Sequence, residues 1–183
     1  RNSSPYADDE GSIDTTRGDM HYWGVWQGRK PISEIDKEKS RFVSEYGFQS
    51  FPEFSTIKSF APDSKDWSAH SDVMMSHQRG GAIANRRIDN YLTNEYGQPN
   101  DFERFTYLSQ LLQGDLMKLT MEFHRRDRPY CMGSLIWQHN DCWPVASWSS
   151  IDYYGRWKAL HYFMVESFAD VMISPIEKDG KFE

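Results

Sequence analysis

The chain has 183 residues, and its 27 acidic and 21 basic side chains give a formal net charge of −6. This surplus of negative charge argues against a nucleic-acid or anionic-membrane partner, because phosphate contacts need clustered Lys and Arg. No apolar run approaches the roughly 20 residues of a membrane-spanning helix, and the first residues lack the apolar segment of a signal peptide. We therefore expect a soluble chain, whose compartment the sequence does not identify.

Aromatic residues are abundant: seven Trp, ten Tyr and eleven Phe make up 15% of the chain. The mean hydropathy is low, at −0.76, but disordered chains are poor in aromatic residues, so we expect this chain to fold. An aromatic ring packs well against the apolar face of a sugar or a base. Of these two ligands, the negative charge of the chain favours the sugar.

Three short apolar runs bounded by turn residues predict buried strands. They lie, in chain order, at residues 20–26, 41–48 and 130–137. The residues before them, 1–18, are polar and turn-rich, and this composition predicts a loop.

The residues between the second and third predicted strands are mostly helical in pattern. Ser50, Pro52 and Glu53 predict the start of a helix, and residues 82–96 have apolar side chains at helical spacing. The strongest pattern covers residues 101–126. Its predicted apolar stripe consists of Phe102, Phe105, Leu108, Leu112, Leu116, Leu119 and Phe123.

The boundaries of this long helix also have sequence signals. Asn100 and Glu103 predict a capping pair at its start, and Pro129 predicts its end. A last amphipathic helix is predicted over residues 157–168. Because strands alternate with helices, the predicted fold class is α/β, with a parallel sheet of βαβ units.

In such folds the active groups lie at the carboxyl ends of the strands. The candidate clusters there are His21-Tyr22-Trp23, Ser44-Glu45-Tyr46 and the segment from Trp137 to Trp143. Glu45 is flanked by apolar and aromatic residues, where a carboxylate is costly to bury unless it is hydrogen-bonded or paired. Composition alone favours a structural carboxylate bonded to backbone or to Arg41. The alternative is a catalytic carboxylate at a strand end.

The other candidates have structural interpretations as well. His21 is, by default, a core histidine bonded to backbone, Tyr22 fits simple packing, and tryptophans are more often core residues than ligand platforms. The histidines lack the spacing of a metal site, and the sequence contains no nucleotide-binding or nucleophile-elbow motif. We therefore expect no metal and no cofactor.

Several stretches, in this order along the chain, resemble the β-mannosidase branch of glycoside hydrolase family 2. They are SSPY at 3–6, GDMHYWGVWQG at 18–28, RFVSEYGFQSFPE at 41–53, HQR with Asn85-Arg86 at 77–86, YLSQLLQ at 107–113 and GSLIWQHNDCWPVASWSSIDYYGRWKAL at 133–160. The resemblance covers nearly the whole chain, and its second and last stretches are long and specific.

The resemblance implies a fold and a domain organisation. The catalytic domain of this family is a (β/α)8 TIM barrel flanked by β-sandwich domains, and such a barrel needs about 250 residues. We therefore expect residues 1–173 to form the C-terminal part of a barrel, about strands five or six to eight. Residues 174–183 are expected to be a linker or the start of a following β-sandwich domain, and the first half of the barrel to lie elsewhere in the same polypeptide.

The resemblance also implies roles for individual residues. Glu45 in SEYGF matches the nucleophile at the end of strand seven of a retaining, exo-acting enzyme. Such an enzyme removes β-linked mannose from the non-reducing ends of oligosaccharides or glycoconjugates. Tyr22 or a neighbour is expected to hydrogen-bond the nucleophile, and Trp137 to floor the sugar subsite. The predicted substrate-binding residues are His21, Tyr22, Trp23, Trp137, Asp141 and Trp143.

One part of the family's active site has no match here. The acid/base glutamate of the family lies in an Asn-Glu pair at the end of strand four, whereas Asn94-Glu95 follows Glu45 and falls in a predicted helix. We expect the acid/base upstream of this chain, and the chain alone to be inactive. Two alternatives stay open: a related enzyme acting on β-galactosides or β-glucuronides, and a non-catalytic carbohydrate-binding module on the same scaffold.

Overall fold

The computed structural model describes residues 4–5, 15–81 and 83–182. Its central feature is a parallel three-stranded sheet formed by β1 (Met20–Tyr22), β2 (Val43–Tyr46) and β3 (Ser134–Ile136), in chain order. All three strands lie within the apolar runs that predicted them. The predicted loop at 1–18 and the SSPY stretch fall largely outside the described residues.

The helices follow the strands in the predicted order. They are α1 (Phe54–Phe60), α2 (Asp72–Ser76), α3 (Ala84–Tyr96), α4 (Phe102–Arg126) and α5 (Ala159–Ser167), with short 3₁₀ turns at Ile32–Glu34 and Ser64–Asp66. In the described part of the chain, no helix combines the length and apolar character needed to cross a membrane.

The start of α4 differs from the prediction by one residue. The N-cap is Asp101, whose carboxylate accepts a hydrogen bond from the backbone N–H of Arg104 at 2.7 Å. An aspartate and an asparagine cap a helix about equally well, so Asn100 and Asp101 compete in the sequence. The predicted capping pair of Asn100 and Glu103 is therefore wrong.

The buried face of α4 is also wider and more polar than the predicted stripe. Leu119 is 46% exposed, whereas Met117 and Met121 are buried. Gln113 is fully buried as well, and its Nε2 donates to the carbonyl oxygen of Phe48 at 2.7 Å. The polar side chains on this face thus hold the irregular backbone that follows β2.

The core lies between the sheet and α4. Tyr22 and Tyr46 are register partners on β1 and β2, and both side chains are buried. They border a small internal cavity together with Leu116 and Met117 of α4. Since neighbouring residues of a strand point to opposite faces, the adjacent pair, His21 and Glu45, projects from the other face of the sheet.

A short antiparallel hairpin ends the described residues. It consists of β4 (Glu177–Lys178) and β5 (Lys181–Phe182), in the segment predicted to be a linker or the start of a further domain. Strand structure is therefore present in this segment, and its assignment to a separate domain stays a prediction.

Candidate active site

The carboxyl ends of β1 and β2 bring His21 and Glu45 together. The two residues are partners in the parallel register, and Nδ1 of His21 lies 2.9 Å from Oε2 of Glu45. The Glu45 side chain is 21% exposed, so the carboxylate is sheltered but reachable. Its partner is thus a histidine on the next strand, not Arg41, whose guanidinium lies over the ring of Tyr130 at 4.9 Å.

A hydrogen-bond donor also reaches the same carboxylate oxygen. The indole Nε1 of Trp23 donates a hydrogen bond to Oε2 of Glu45 at 3.0 Å. Within the described part of the chain, the Trp23 hydrogen bond and the close His21 contact both fall on Oε2, and no hydrogen bond to Oε1 is present. The carboxylate is therefore held through one oxygen.

Behind His21 lies a small polar cluster. Nε2 of His21 is 3.1 Å from Oγ of Ser4, and the Ser4 hydroxyl in turn donates to the carboxylate of Asp19. Ser44 Oγ donates to the same Asp19 oxygen. Sequence analysis did not identify Ser4 or Asp19 as site residues, because their relation to His21 depends on the packing of segments distant in the chain.

Tyr22 lies on the opposite face of the sheet from Glu45. It is 8% exposed, its hydroxyl has no hydrogen-bond partner among the described residues, and burial raises the pKa of Tyr22 to about 12. The hydrogen bond to Glu45 that we expected from Tyr22 or a neighbour therefore comes from a neighbour, Trp23, while His21 on the other side forms a close contact with the same oxygen. The structure gives Tyr22 itself a place in the core.

Trp137 directly follows β3, next to the strand that carries Glu45. Its backbone N–H donates to the carbonyl oxygen of Tyr46 at 2.8 Å, which fixes the start of the following loop against β2. The Trp137 side chain is 41% exposed. An exposed indole at a strand end has the position that a sugar platform requires, and its contact with substrate stays a prediction.

Asp141 is buried within the loop that follows Trp137. It is 6% exposed, Ser149 Oγ donates to it at 2.6 Å and Gln138 Nε2 at 3.3 Å. Burial raises the pKa of the Asp141 carboxyl, while the hydrogen bond from Ser149 and the charge of Lys158 oppose that rise. The polar partners of Asp141 thus lie inside its own loop, and its contact with substrate stays a prediction.

Trp143 is half-buried and packs against a histidine. The ring of His77 lies 5.3 Å from that of Trp143 and is stacked on Phe60 at 3.9 Å. Nδ1 of His77 is 2.6 Å from the carbonyl oxygen of Pro144. His77 therefore orients the loop that carries Trp143.

Two further residues near the site had no functional signal in the sequence. Lys158 is fully buried, and its Nζ donates to the carbonyl oxygens of Ser50 and Ser147 at 3.3 Å each. Burial lowers the pKa of Lys158 to about 8, with nearby carboxylates opposing the shift. Trp148 packs edge-on against Trp23 at a ring distance of 6.1 Å. Both residues fix the loop between β3 and α5 beside the site.

Among the described residues, no group of three or more His, Cys, Asp or Glu side chains is arranged to hold a metal ion. The site consists of the Glu45 carboxylate, oriented by His21 and Trp23, with the exposed indole of Trp137 on the neighbouring strand end. Such a site suits a sugar, whose hydroxyls pair with carboxylates and whose apolar face packs on indole rings.

Proteins of known name and structure resemble this chain in sequence and fold. β-Mannosidase B from Aspergillus niger is 39% identical over 163 residues, covering 87% of this chain and 19% of that protein. A crystal structure of a β-D-mannosidase from Dictyoglomus thermophilum matches with a TM-score of 0.87 and 36% identity, covering 92% of this chain and 21% of that chain. An exo-chitosanase from Amycolatopsis orientalis shares the fold, with a TM-score of 0.65 and 17% identity over 85% of this chain and 19% of that one.

A scan of protein-family models finds no match. The similarities to whole proteins nevertheless show what this chain is related to: its homologues in sequence and fold are named β-mannosidases, a class of glycoside hydrolase. The chain spans about a fifth of the length of the curated relatives that it matches.

Proposed function

We propose that this chain carries the nucleophile of a retaining, exo-acting β-mannosidase and forms the C-terminal part of its (β/α)8 barrel. Three parallel strands that neighbour one another in chain order, with helices after each of the last two, fit one arc of such a barrel. On this proposal residues 1–173 belong to the barrel, and residues 174–183 lead into a following domain. The rest of the barrel and the β-sandwich domains belong to the same longer polypeptide.

The observation that carries the proposal is the way in which Glu45 is held. The Trp23 indole donates a hydrogen bond to Oε2, Nδ1 of His21 lies 2.9 Å from the same atom, and no described residue donates a hydrogen bond to Oε1. These contacts orient the carboxylate through one oxygen, and the ionised carboxylate is the form that acts as a nucleophile.

In the proposed reaction Oε1 of Glu45 attacks the anomeric carbon of a β-mannoside. The bond from that carbon to the leaving-group oxygen breaks, and the oxygen keeps the electron pair and takes a proton from a second carboxyl group. Water then attacks the glycosyl ester, loses its proton to the second carboxylate and releases mannose with Glu45 regenerated. In retaining enzymes the two carboxyl groups lie about 5–5.5 Å apart, and we propose that the rest of the polypeptide supplies the second one.

The exposed indole of Trp137 is the proposed platform for the apolar face of the mannose ring. His21 and Trp23 lie beside the carboxylate, within reach of a sugar bound there, and Trp143 borders the loop that follows the platform. Tyr22 and Asp141 were predicted to contact substrate too. Their burial supports a different contribution from each: Tyr22 backs the strand that carries His21, and Asp141 holds the loop after Trp137.

Covalent trapping tests the nucleophile directly. A 2-deoxy-2-fluoro mannoside with a good leaving group is incubated with the full-length protein, and the labelled peptide is mapped by mass spectrometry. We expect the adduct on Glu45, in the peptide of residues 41–53. A stable adduct on any other residue would overturn the assignment.

Substitution and a substrate panel complete the test. Glu45→Gln is expected to lower kcat by at least about 1,000-fold, whereas Glu103→Gln, an exposed carboxylate in the first turn of α4, serves as the matched control. Nitrophenyl β-mannoside, β-galactoside and β-glucuronide are compared as substrates. Faster turnover of a galactoside or glucuronide would replace the proposed specificity. Sugar binding without turnover of any substrate would favour a binding module.

A further inference from the structure

A cavity of about 510 Å³ lies between α4 and the start of α5, within the roughly 300–1,000 Å³ range of small-molecule sites. Its lining includes three aromatic and three polar side chains: Tyr107, Trp157 and Tyr162, and Glu53, Gln110 and Arg156. In the described part of the chain, none of these six contacts Glu45, and the proposed reaction uses none of them. Both walls belong to this chain, because Tyr107 lies on α4 and Tyr162 on α5.

The three aromatic rings of this cavity are open to solvent. Trp157 is 44% exposed, Tyr107 is 56% exposed and Tyr162 is 59% exposed. Large apolar side chains that are exposed together mark interaction sites on protein surfaces. An aromatic ring, in particular, packs well against the apolar face of a sugar.

The ring of Trp157 is held in place before any ligand binds. Its centre lies 4.2 Å from that of His161 and 5.1 Å from that of Tyr162, with 65° between the planes of Trp157 and Tyr162. The backbone of Trp157 is bridged to that of Ile151. A ligand therefore meets an oriented ring, and little side-chain freedom is lost when it binds.

Gln110 supplies an unpaired donor to the same cavity. The residue is only 5% exposed, and its Oε1 accepts a hydrogen bond from the backbone N–H of Ala159 at 3.1 Å, which fixes the amide plane. Nε2 of Gln110, in contrast, donates to none of the described residues. Because Gln110 lines the cavity, an acceptor placed there would pair with this amide.

The two charged groups of the lining have opposite signs. Nη1 of Arg156 donates to Oγ1 of Thr56 at 2.9 Å, and the guanidinium lies 5.1 Å from the ring centre of Tyr154, so its position is fixed. The Glu53 carboxylate accepts no hydrogen bond from any residue that the structure describes. One positive and one negative group favour a ligand without net charge that offers both donors and acceptors.

We propose that this cavity is a second saccharide-binding site, which binds a neutral sugar without cleaving it. Trp157 and Tyr162 pack on the apolar face of the sugar ring. Gln110 and Arg156 donate to its hydroxyl groups, and Glu53 accepts from them. A hydrocarbon would leave these three polar groups unpaired, which is costly, and an anion would be repelled by Glu53. No bond is made or broken here, so the inference goes beyond the proposed function and does not depend on which residue is the nucleophile.

The test measures binding to the full-length protein after its active site has been blocked with the 2-deoxy-2-fluoro mannoside. The ligand is a sulfur-linked β-mannobiose, a neutral disaccharide whose linkage resists hydrolysis by glycosidases. Titration calorimetry of the blocked, unmodified protein is expected to show one remaining site per chain. Trp157→Ala removes the central ring and is expected to raise Kd for this site at least about 10-fold.

Two further variants make the test specific. Gln110→Glu keeps an acceptor for the Ala159 N–H and removes the amide donor, so Kd is expected to rise about 3-fold or more. Tyr153→Ala is the matched control, since Tyr153 is 46% exposed in the loop before Trp157 and does not line the cavity. The control is expected to bind the disaccharide as the unmodified protein does.

The outcomes separate this inference from the proposed function. Binding that is weakened in Trp157→Ala and Gln110→Glu, and unchanged in Tyr153→Ala, supports the second site. No binding to the blocked, unmodified protein, or equal binding by all three variants, overturns it. The proposed function stands or falls separately, on the residue that takes the covalent label. If no residue is labelled, the sites are counted in the untreated protein, and Trp157→Ala is still expected to lose one of them.

Discussion

The carbonyl oxygen of Trp137 lies 2.1 Å from the position that a Cβ atom on Gly47 would occupy. Real Cβ atoms essentially never come so close to a backbone oxygen, so only glycine lets the end of β3 approach the end of β2 at this point. The approach places Trp137 beside the strand that carries Glu45. A residue without a side chain thus determines where the proposed sugar platform lies.

Gly47→Ala is expected to displace Trp137. Overpacking of this kind costs about 1–3 kcal/mol, so Tm should fall, and kcat/KM should fall with it because the platform moves away from Glu45. Thermal unfolding and kinetics of the full-length protein provide the two measurements. Gly97→Ala is the control, since a Cβ there meets open space and only the positive φ of 79° is unfavourable. Wild-type kcat/KM in Gly47→Ala would contradict the prediction.

Trp23→Phe isolates the indole hydrogen bond to Glu45. The ring remains for packing against Trp148, whereas the donor to Oε2 is lost. A hydrogen bond to a charged group contributes about 1.5–3 kcal/mol, so kcat/KM should fall about 10-fold to 160-fold. Trp67→Phe makes the same change away from the site, where Nε1 donates to the carbonyl oxygen of Ala61 at 2.9 Å. Equal losses of kcat/KM in the two variants would refute the role of Trp23.

Lys158 is expected to make stability depend on alkaline pH. Its pKa is about 8 in the folded protein against 10.5 for the free side chain, so between these values the unfolded chain binds a proton that the folded chain does not. Stability from this group therefore rises as pH increases from about 8 to 10.5, by about 3 kcal/mol in total.

The comparison with Lys158→Met, which keeps much of the volume without the charge, isolates this effect. The Tm of the wild-type protein minus that of the variant should increase between pH 8 and pH 10.5, because other titrating groups cancel in the difference. A difference that stays constant over this range would show that the buried amine does not titrate there.

Asp101→Ala tests the observed start of α4. Loss of the side-chain cap costs about 1 kcal/mol, which lowers Tm by about 2–4 °C in a domain of this size. Asn100→Ala, one residue earlier, removes no cap and should leave Tm nearly unchanged. The reverse order of the two effects would restore the capping pair predicted from the sequence.

The sequence predicted the positions of the strands and helices better than it predicted which of their residues are buried. Period and turn residues located β1, β2, β3 and the long helix, because these signals are local. The buried face of α4 escaped prediction because Gln113, a polar residue, is fully buried there. Its burial is explained by partners distant in the chain: its Nε2 donates to the carbonyl oxygen of Phe48, 65 residues away, and its Oε1 accepts from Oγ of Ser50.

At the candidate site, too, the sequence predicted the segments involved but not the contacts between their side chains. The family resemblance drew attention to Glu45 and to the segment at residues 21–23, yet it did not decide which of those three side chains reach the carboxylate. That choice depends on the register of two parallel strands, which includes a shift between Met20 and His21. The partner of Asp141, Ser149, lies in the same loop, and this pairing could not be predicted because the fold of a loop has no periodic signal.

Glu45 lies on the middle strand of the sheet, so its neighbours on both sides, β1 and β3, come from the same stretch of chain. The three strands that position the Glu45 carboxylate are therefore separate from any segment of a longer polypeptide that contacts it from outside this sheet. Substitutions in such a segment could change which sugar is accepted without changing the strands around Glu45. Within such a family, we expect selectivity to diverge faster than the environment of the carboxylate.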